Sequence, residues 1–216
     1  MERRPYHKGV ACLAALLLIA PLLLTGCGVI DGFSFPVPGP TVREGEPLSE
    51  EQPVSYVKGT VSDGVYTNPW AGIQITVPEG LSLGSDAQYT SVAKDKRTEC
   101  GLYLTDEKAA QTLFIGFQRL TGSVSAEAYL NKVTLSLREA AEKYEKMTVE
   151  PVGSFSFVNL GGNEYIKGRY LYADSGKEAY QDYYVRELDG YMIFIVCTAP
   201  AADEADALIG LVRPCN

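Results

Sequence analysis

Cys27 is the side chain best placed to do chemistry. Its thiol directly follows Leu24-Thr25-Gly26, behind an apolar run from Val10 to Leu24 and a basic segment of Arg3, Arg4, His7 and Lys8. That order is the layout of a secretory signal ending in a lipobox, in which the sulfur takes a diacylglyceryl group and a signal peptidase reads Leu24, Thr25 and Gly26 before cutting. The apolar run is about 15 residues, short of the roughly 20 a helix needs to cross a bilayer core, and Pro21 interrupts it, so a spanning helix is the weaker alternative. A soluble secreted form with a free Cys27 is weaker too, because Leu24 stands third before the cut. Two or three acyl chains hold a protein firmly where one holds it weakly.

Beyond that cysteine, catalytic signals are sparse. The single histidine, His7, belongs to the leader, so the mature chain has none. Ser-His-Asp and Cys-His nucleophiles, histidine general bases and His-rich zinc sites all lose their central residue. A carboxylate pair or a lysine-activated serine stays open, but no spacing singles one out. Cys100, Cys197 and Cys215 remain for the body, an odd number that allows three pairings or none; an intervening helix disfavours Cys197 with Cys215. Without histidine or a CxxC spacing no metal is expected, and no cofactor motif occurs: Gly161-Gly162 beside Asn163 reads as a hairpin turn rather than a phosphate cradle.

The charge excludes further partners. The whole chain carries −8, and residues 1–26 hold Arg3, Arg4 and Lys8 against Glu2, so the chain from Cys27 carries −10. That sign argues against nucleic acid and against a polybasic grip on anionic headgroups, leaving acyl chains as the membrane contact.

These side chains need elements to hold them. Three regions are expected: residues 1–26 as signal peptide, 27–57 as lipidated cysteine and linker, 58–216 as one globular domain. The linker holds Pro36, Pro38, Pro40, Pro47 and Pro53 with Glu44, Glu46, Glu50 and Glu51, the composition of an extended, disordered tether whose ends lie roughly 30 Å apart. Period-two alternation predicts strands over 65–67 and 72–77, and a hairpin from 100–104 and 112–119. Ser125 opens a helix with an apolar stripe of Ala126, Leu130, Val133, Leu137, Ala141 and Tyr144. Strands follow at 154–158, 162–173, 179–188 and 191–198, the last two joined by Asp189-Gly190, a strong type I′ turn signal. A closing helix carries Ala205, Leu208, Ile209 and Val212. Strands in runs with two helices and no βαβ alternation predict α+β, a mainly antiparallel sheet covered by two helices.

The N-terminal layout resembles that of bacterial lipoprotein precursors. Asn68-Pro69-Trp70-Ala71-Gly72-Ile73 running into Val77-Pro78-Glu79-Gly80, then Glu127-Ala128-Tyr129-Leu130, Leu160 to Tyr165, and Tyr183-Tyr184-Val185-Arg186 through Asp189-Gly190-Tyr191-Met192 resemble small bacterial lipoproteins with a PsbP-like domain. The resemblance spans about residues 60 to 212. It implies an α-β-α layered fold, like that of a photosystem extrinsic subunit and of a Ran-GTPase-binding protein, and binding or assembly rather than catalysis. Leu81 stands where these lipoproteins commonly carry Trp. No catalytic residue is implied.

Two functions are carried forward. The first is a noncatalytic binding or assembly module of the cell envelope, anchored by lipid on the extracytoplasmic face of the cell membrane. Its partner would be an envelope protein or a glycan, and it would use an exposed tyrosine row in which Tyr170 and Tyr172 share a strand face, and so do Tyr180 and Tyr184. The same tyrosines equally suit cross-strand core pairs. Lys167 and Arg169 lie on the face opposite Tyr170 and Tyr172, with Arg186 nearby, giving either a small anion site or a solvated face. The second is a carboxylate-dependent envelope hydrolase, which requires two acids about 5 to 10 Å apart, one with a raised pKa.

Overall fold

In the computed structural model, residues 56–85, 98–120, 122–142, 147–174 and 176–215 are described. Leu24, Thr25, Gly26, Cys27, the linker as far as residue 55, and Tyr144 lie outside them. Within them the chain builds twelve strands and two helices. The strands are β1 (Thr60–Ser62), β2 (Val65–Asn68), β3 (Ile73–Thr76), β4 (Ser82–Leu83), β5 (Thr98–Thr105), β6 (Thr112–Arg119), β7 (Met147–Pro151), β8 (Ser156–Leu160), β9 (Asn163–Asp174), β10 (Lys177–Leu188), β11 (Tyr191–Ala199) and β12 (Val212–Pro214). Helix α1 (Ala126–Ala141) falls between β6 and β7, and α2 (Ala202–Ile209) between β11 and β12.

Every pairing is antiparallel. The central sheet runs β4-β5-β6-β11-β10-β9-β7, with β8 also pairing with β9; a second, smaller sheet runs β1-β2-β3-β12. The α+β class and antiparallel sheet follow the sequence pattern, whereas the second sheet was not expected. It is built from β1, β2 and β3 paired in sequence, and Val212 extends it by leaving the helix that its spacing suggested: α2 ends at Ile209, and Val212 pairs with Ile75.

Alternation along the strands assigns two cores. On one face Phe114, Tyr170, Tyr172, Tyr183, Met192 and Phe194 pack under Tyr129, Leu130, Val133 and Leu137 of α1. On the other, Leu104, Ile115, Phe117, Ile193 and Ile195 meet Tyr66, Ile73 and Ile75 of the small sheet and Ala205, Leu208 and Ile209 of α2. Met192 to Ala199 are all buried, because β11 is central and covered on both sides. Where β6 meets β11, a Cβ on Gly116 would stand 2.1 Å from the Phe194 ring, so only glycine lets the aromatic lie flat on the sheet.

Local signals explain the element ends. Ser125 Oγ accepts from Ala128 N at 3.1 Å, closing the first turn of α1. Asp189 and Gly190 both have positive φ, 50° and 77°, as a type I′ hairpin requires.

Candidate functional site

The tyrosine row is corrected by burial. Tyr170, Tyr172 and Tyr184 are 1, 1 and 2 % exposed, and Tyr180 is half-buried against the second core, so the four form no surface row. Each pair does share a face, Tyr170 and Tyr172 toward α1 and Tyr180 and Tyr184 toward the second core, but both faces are covered. Their hydroxyls find internal partners: Tyr172 donates to Gln181 Oε1 at 2.6 Å, Tyr170 bonds Thr134 Oγ1 at 2.7 Å, and Tyr184 donates to Asp182 Oδ2 at 3.1 Å. An amphipathic ring reads alike in a core and on a surface. Burial pushes the Tyr170, Tyr172 and Tyr184 hydroxyls up, and the Asp182 carboxylate adds to this at Tyr184.

Tyr184 leads to the main polar cluster of the second face. Asp182, fully buried, takes both ends of a fork from Arg169, Nε to Oδ1 and Nη2 to Oδ2, each at 2.7 Å. Lys167 Nζ lies 3.0 Å from Asp182 Oδ2 and 3.1 Å from Asp206 Oδ1, while Arg169 Nη2 reaches Asp206 at 2.6 Å and the Ala202 carbonyl at 3.3 Å. Asp206 and Ala202 belong to α2, so the network fastens that helix to the sheet. Lys167 and Arg169 therefore form no free anion site; their anions are built in.

Asp182 and Asp206 are also the acids to weigh as a hydrolytic pair. Both touch Lys167 Nζ, which puts their nearest oxygens within about 6 Å of each other. Burial pushes the Asp206 carboxyl up, but Lys167 and Arg169 outweigh it and hold it below the ordinary carboxylate value. A general acid needs the opposite shift. Among the described residues no three side chains of metal-ligating type converge.

The three described cysteines are free thiols. Cys100 packs toward the first core and Cys197 lies in the second, on opposite faces of one sheet. Burial pushes the Cys100 thiol up to about 12 and Cys197 further, so neither is an activated nucleophile.

One end of the second face gathers the motifs that are far apart in sequence. Trp70 Nε1 donates to Asp189 Oδ2 at 2.9 Å, and its ring meets Tyr191, Tyr56 and Phe117 at 5.7, 5.6 and 5.9 Å between centroids. Arg186 Nη2 donates to the Ala71 carbonyl at 3.0 Å and lies over the Tyr165 ring at 5.3 Å. Gly72, at φ 70°, sits where a Cβ would come within 2.9 Å of Asn163 Nδ2, and Cys215 N donates to the Gly72 carbonyl at 3.2 Å. The Asn68–Gly72 turn, the 160–163 turn, the β10–β11 hairpin and the C-terminal strand thus meet at one place. The sequence shows each segment, but not that they converge.

A surface feature without a sequence signal lies on β8. Phe157 on β8 is 71 % exposed, and Val152, in the connection from β7, is 42 % exposed. No periodicity marks an outward aromatic on an edge strand, so only the folded chain reveals it.

No protein-family model matches the sequence, and no curated protein matches it significantly. Several solved structures are similar. The solution structure of the cyanobacterial PsbP protein from Synechocystis is 12 % identical, with 76 % of this chain and 99 % of that one covered at a TM-score of 0.48. A Bacteroides thetaiotaomicron protein is 13 % identical, with 75 % of this chain and 50 % of that one covered at 0.39, so this chain spans half its length. LpqN of Mycobacterium tuberculosis, described as involved in cell envelope biogenesis, is 16 % identical, with 66 % and 83 % covered at 0.37.

Proposed function

We propose that the chain is an extracytoplasmic lipoprotein, held to the cell membrane through lipidated Cys27, whose folded body is a noncatalytic binding or assembly module of the cell envelope. Phe157 carries the binding part: a large apolar ring 71 % exposed on a strand that pairs with β9 alone among the described strands. An edge strand offers unpaired backbone donors and acceptors beside that ring, a combination suited to a protein partner more than to a glycan. The anchoring part rests on Leu24-Thr25-Gly26-Cys27. Noncatalytic action is supported by the Asp182–Asp206 pair, whose acids are clamped by Lys167 and Arg169 rather than left with one proton to give.

Phe157→Ser tests the reading. An exposed ring contributes little to folding, so the urea midpoint should move by less than about 0.5 kcal/mol in equivalent stability. Capture of the partner by chemical crosslinking in the native membrane should fall sharply. Undiminished capture would contradict the assigned face.

A further inference from the structure

Three cations line the second face along β9 and β10, and two acids serve them. Asp182 and Asp206 hold Lys167 and Arg169; Arg186 has no carboxylate partner among the described residues. Its Nε is buried with no acceptor, and so is the hydroxyl of Tyr165, itself 1 % exposed, whose ring lies beneath the guanidinium. Donors left unbonded in a low-dielectric setting are costly, more so when charged. Arg186 spends Nη2 on a backbone carbonyl, that of Ala71.

The same chain displays what such an edge accepts. Arg169 offers Nε and Nη2 side by side, and the two oxygens of Asp182 take both. Arg186 presents the same edge, with Nη2 on Ala71 and Nε unused. We propose that Arg186 and Tyr165 form a binding site for a small oxyanion, a carboxylate or a sulfate or phosphate group, which replaces the Ala71 carbonyl and takes the Nε–Nη2 edge together with the Tyr165 hydroxyl. The Asn68–Gly72 turn covers this place. Its Trp70 side chain is held by the hydrogen bond to Asp189 and by ring contacts with Tyr56, Phe117 and Tyr191, and Ala71 is fully buried, so the donors are reached only when the turn moves off these contacts. Burial holds the Tyr165 hydroxyl up at about 12, so it donates at neutral pH. Tyr165 pairs with Val158 of β8, but its side chain lies on the second face, whereas Phe157 pairs with Ile166, which packs toward the first; the site does not depend on the partner assigned to Phe157.

Trp70 is the only tryptophan, so intrinsic fluorescence reports on the turn directly. The full chain is titrated with sodium acetate, sodium sulfate and sodium phosphate, each at an ionic strength held constant with sodium chloride. A saturable fluorescence change is expected with at least one of the three, and the one that saturates identifies the class of oxyanion. Tyr165→Phe, which keeps the ring, should weaken binding severalfold. Arg186→Lys, which keeps the charge but loses the planar fork, should weaken it roughly tenfold or more; Arg186→Gln should abolish it. A response that is linear and equal to chloride for all three anions would overturn the site, as would saturation unchanged in the folded Arg186→Lys protein.

Discussion

Asp182 has no solvent of its own, and its charge is met by Arg169, Lys167 and the Tyr184 hydroxyl. Asp182→Asn keeps the volume and removes the charge, leaving two cations without their buried anion. Breaking such a pair costs about 3–5 kcal/mol, which urea unfolding would show as a large drop in midpoint. Asp206 is 54 % exposed, so Asp206→Asn should cost less than about 1 kcal/mol. Its carboxyl is held below the ordinary value, so its contribution is complete above the unfolded pKa of about 4 and is lost as pH falls through the lower folded value. Stability plotted against pH should therefore drop below about pH 4, less steeply in Asp206→Asn; an unchanged slope would contradict the pairing. Alternation alone placed Lys167 and Arg169 on one face. Their counter-ions were hidden, because Asp182 meets Arg169 only through the β9–β10 register and Asp206 only through the docking of α2.

The elements that carry strong local chemistry were legible: the Ser125 cap, the Asp189-Gly190 turn and the long strands β9, β10 and β11. Those that were not are short or ambiguous. β1, β4 and β12 have only two or three residues and no period to read, and β7 ends in Pro151. Val212 fits a helical stripe and an edge strand equally well in sequence; α2 stops before it, with Gly210 as its C-cap. The pairing of β6 with β11 leads to a sharper expectation. Gly116→Ala puts a methyl into the Phe194 ring and should cost about 1–3 kcal/mol by overpacking, read from the thermal midpoint. A midpoint equal to wild type would mean that the two strands are not so closely apposed.

For the whole molecule, a central sheet covered on both faces leaves edges and loops as the places where a partner can dock. The tyrosines misled for the same reason: the sequence gives no measure of how much of each face is covered, and here α1 takes one while α2 and the small sheet take the other. At this scale Cys27→Ser should abolish lipid labelling and move the protein from the membrane fraction to the medium; labelling that persists would contradict the anchor. The most direct test of the binding assignment is a photocrosslinking amino acid placed in the anchored protein at Phe157, and separately at Leu135, the 59 % exposed leucine on the outer side of α1. A discrete adduct from position 157 and none from 135 is the predicted result. Adducts from 135 alone, or from neither, would contradict it.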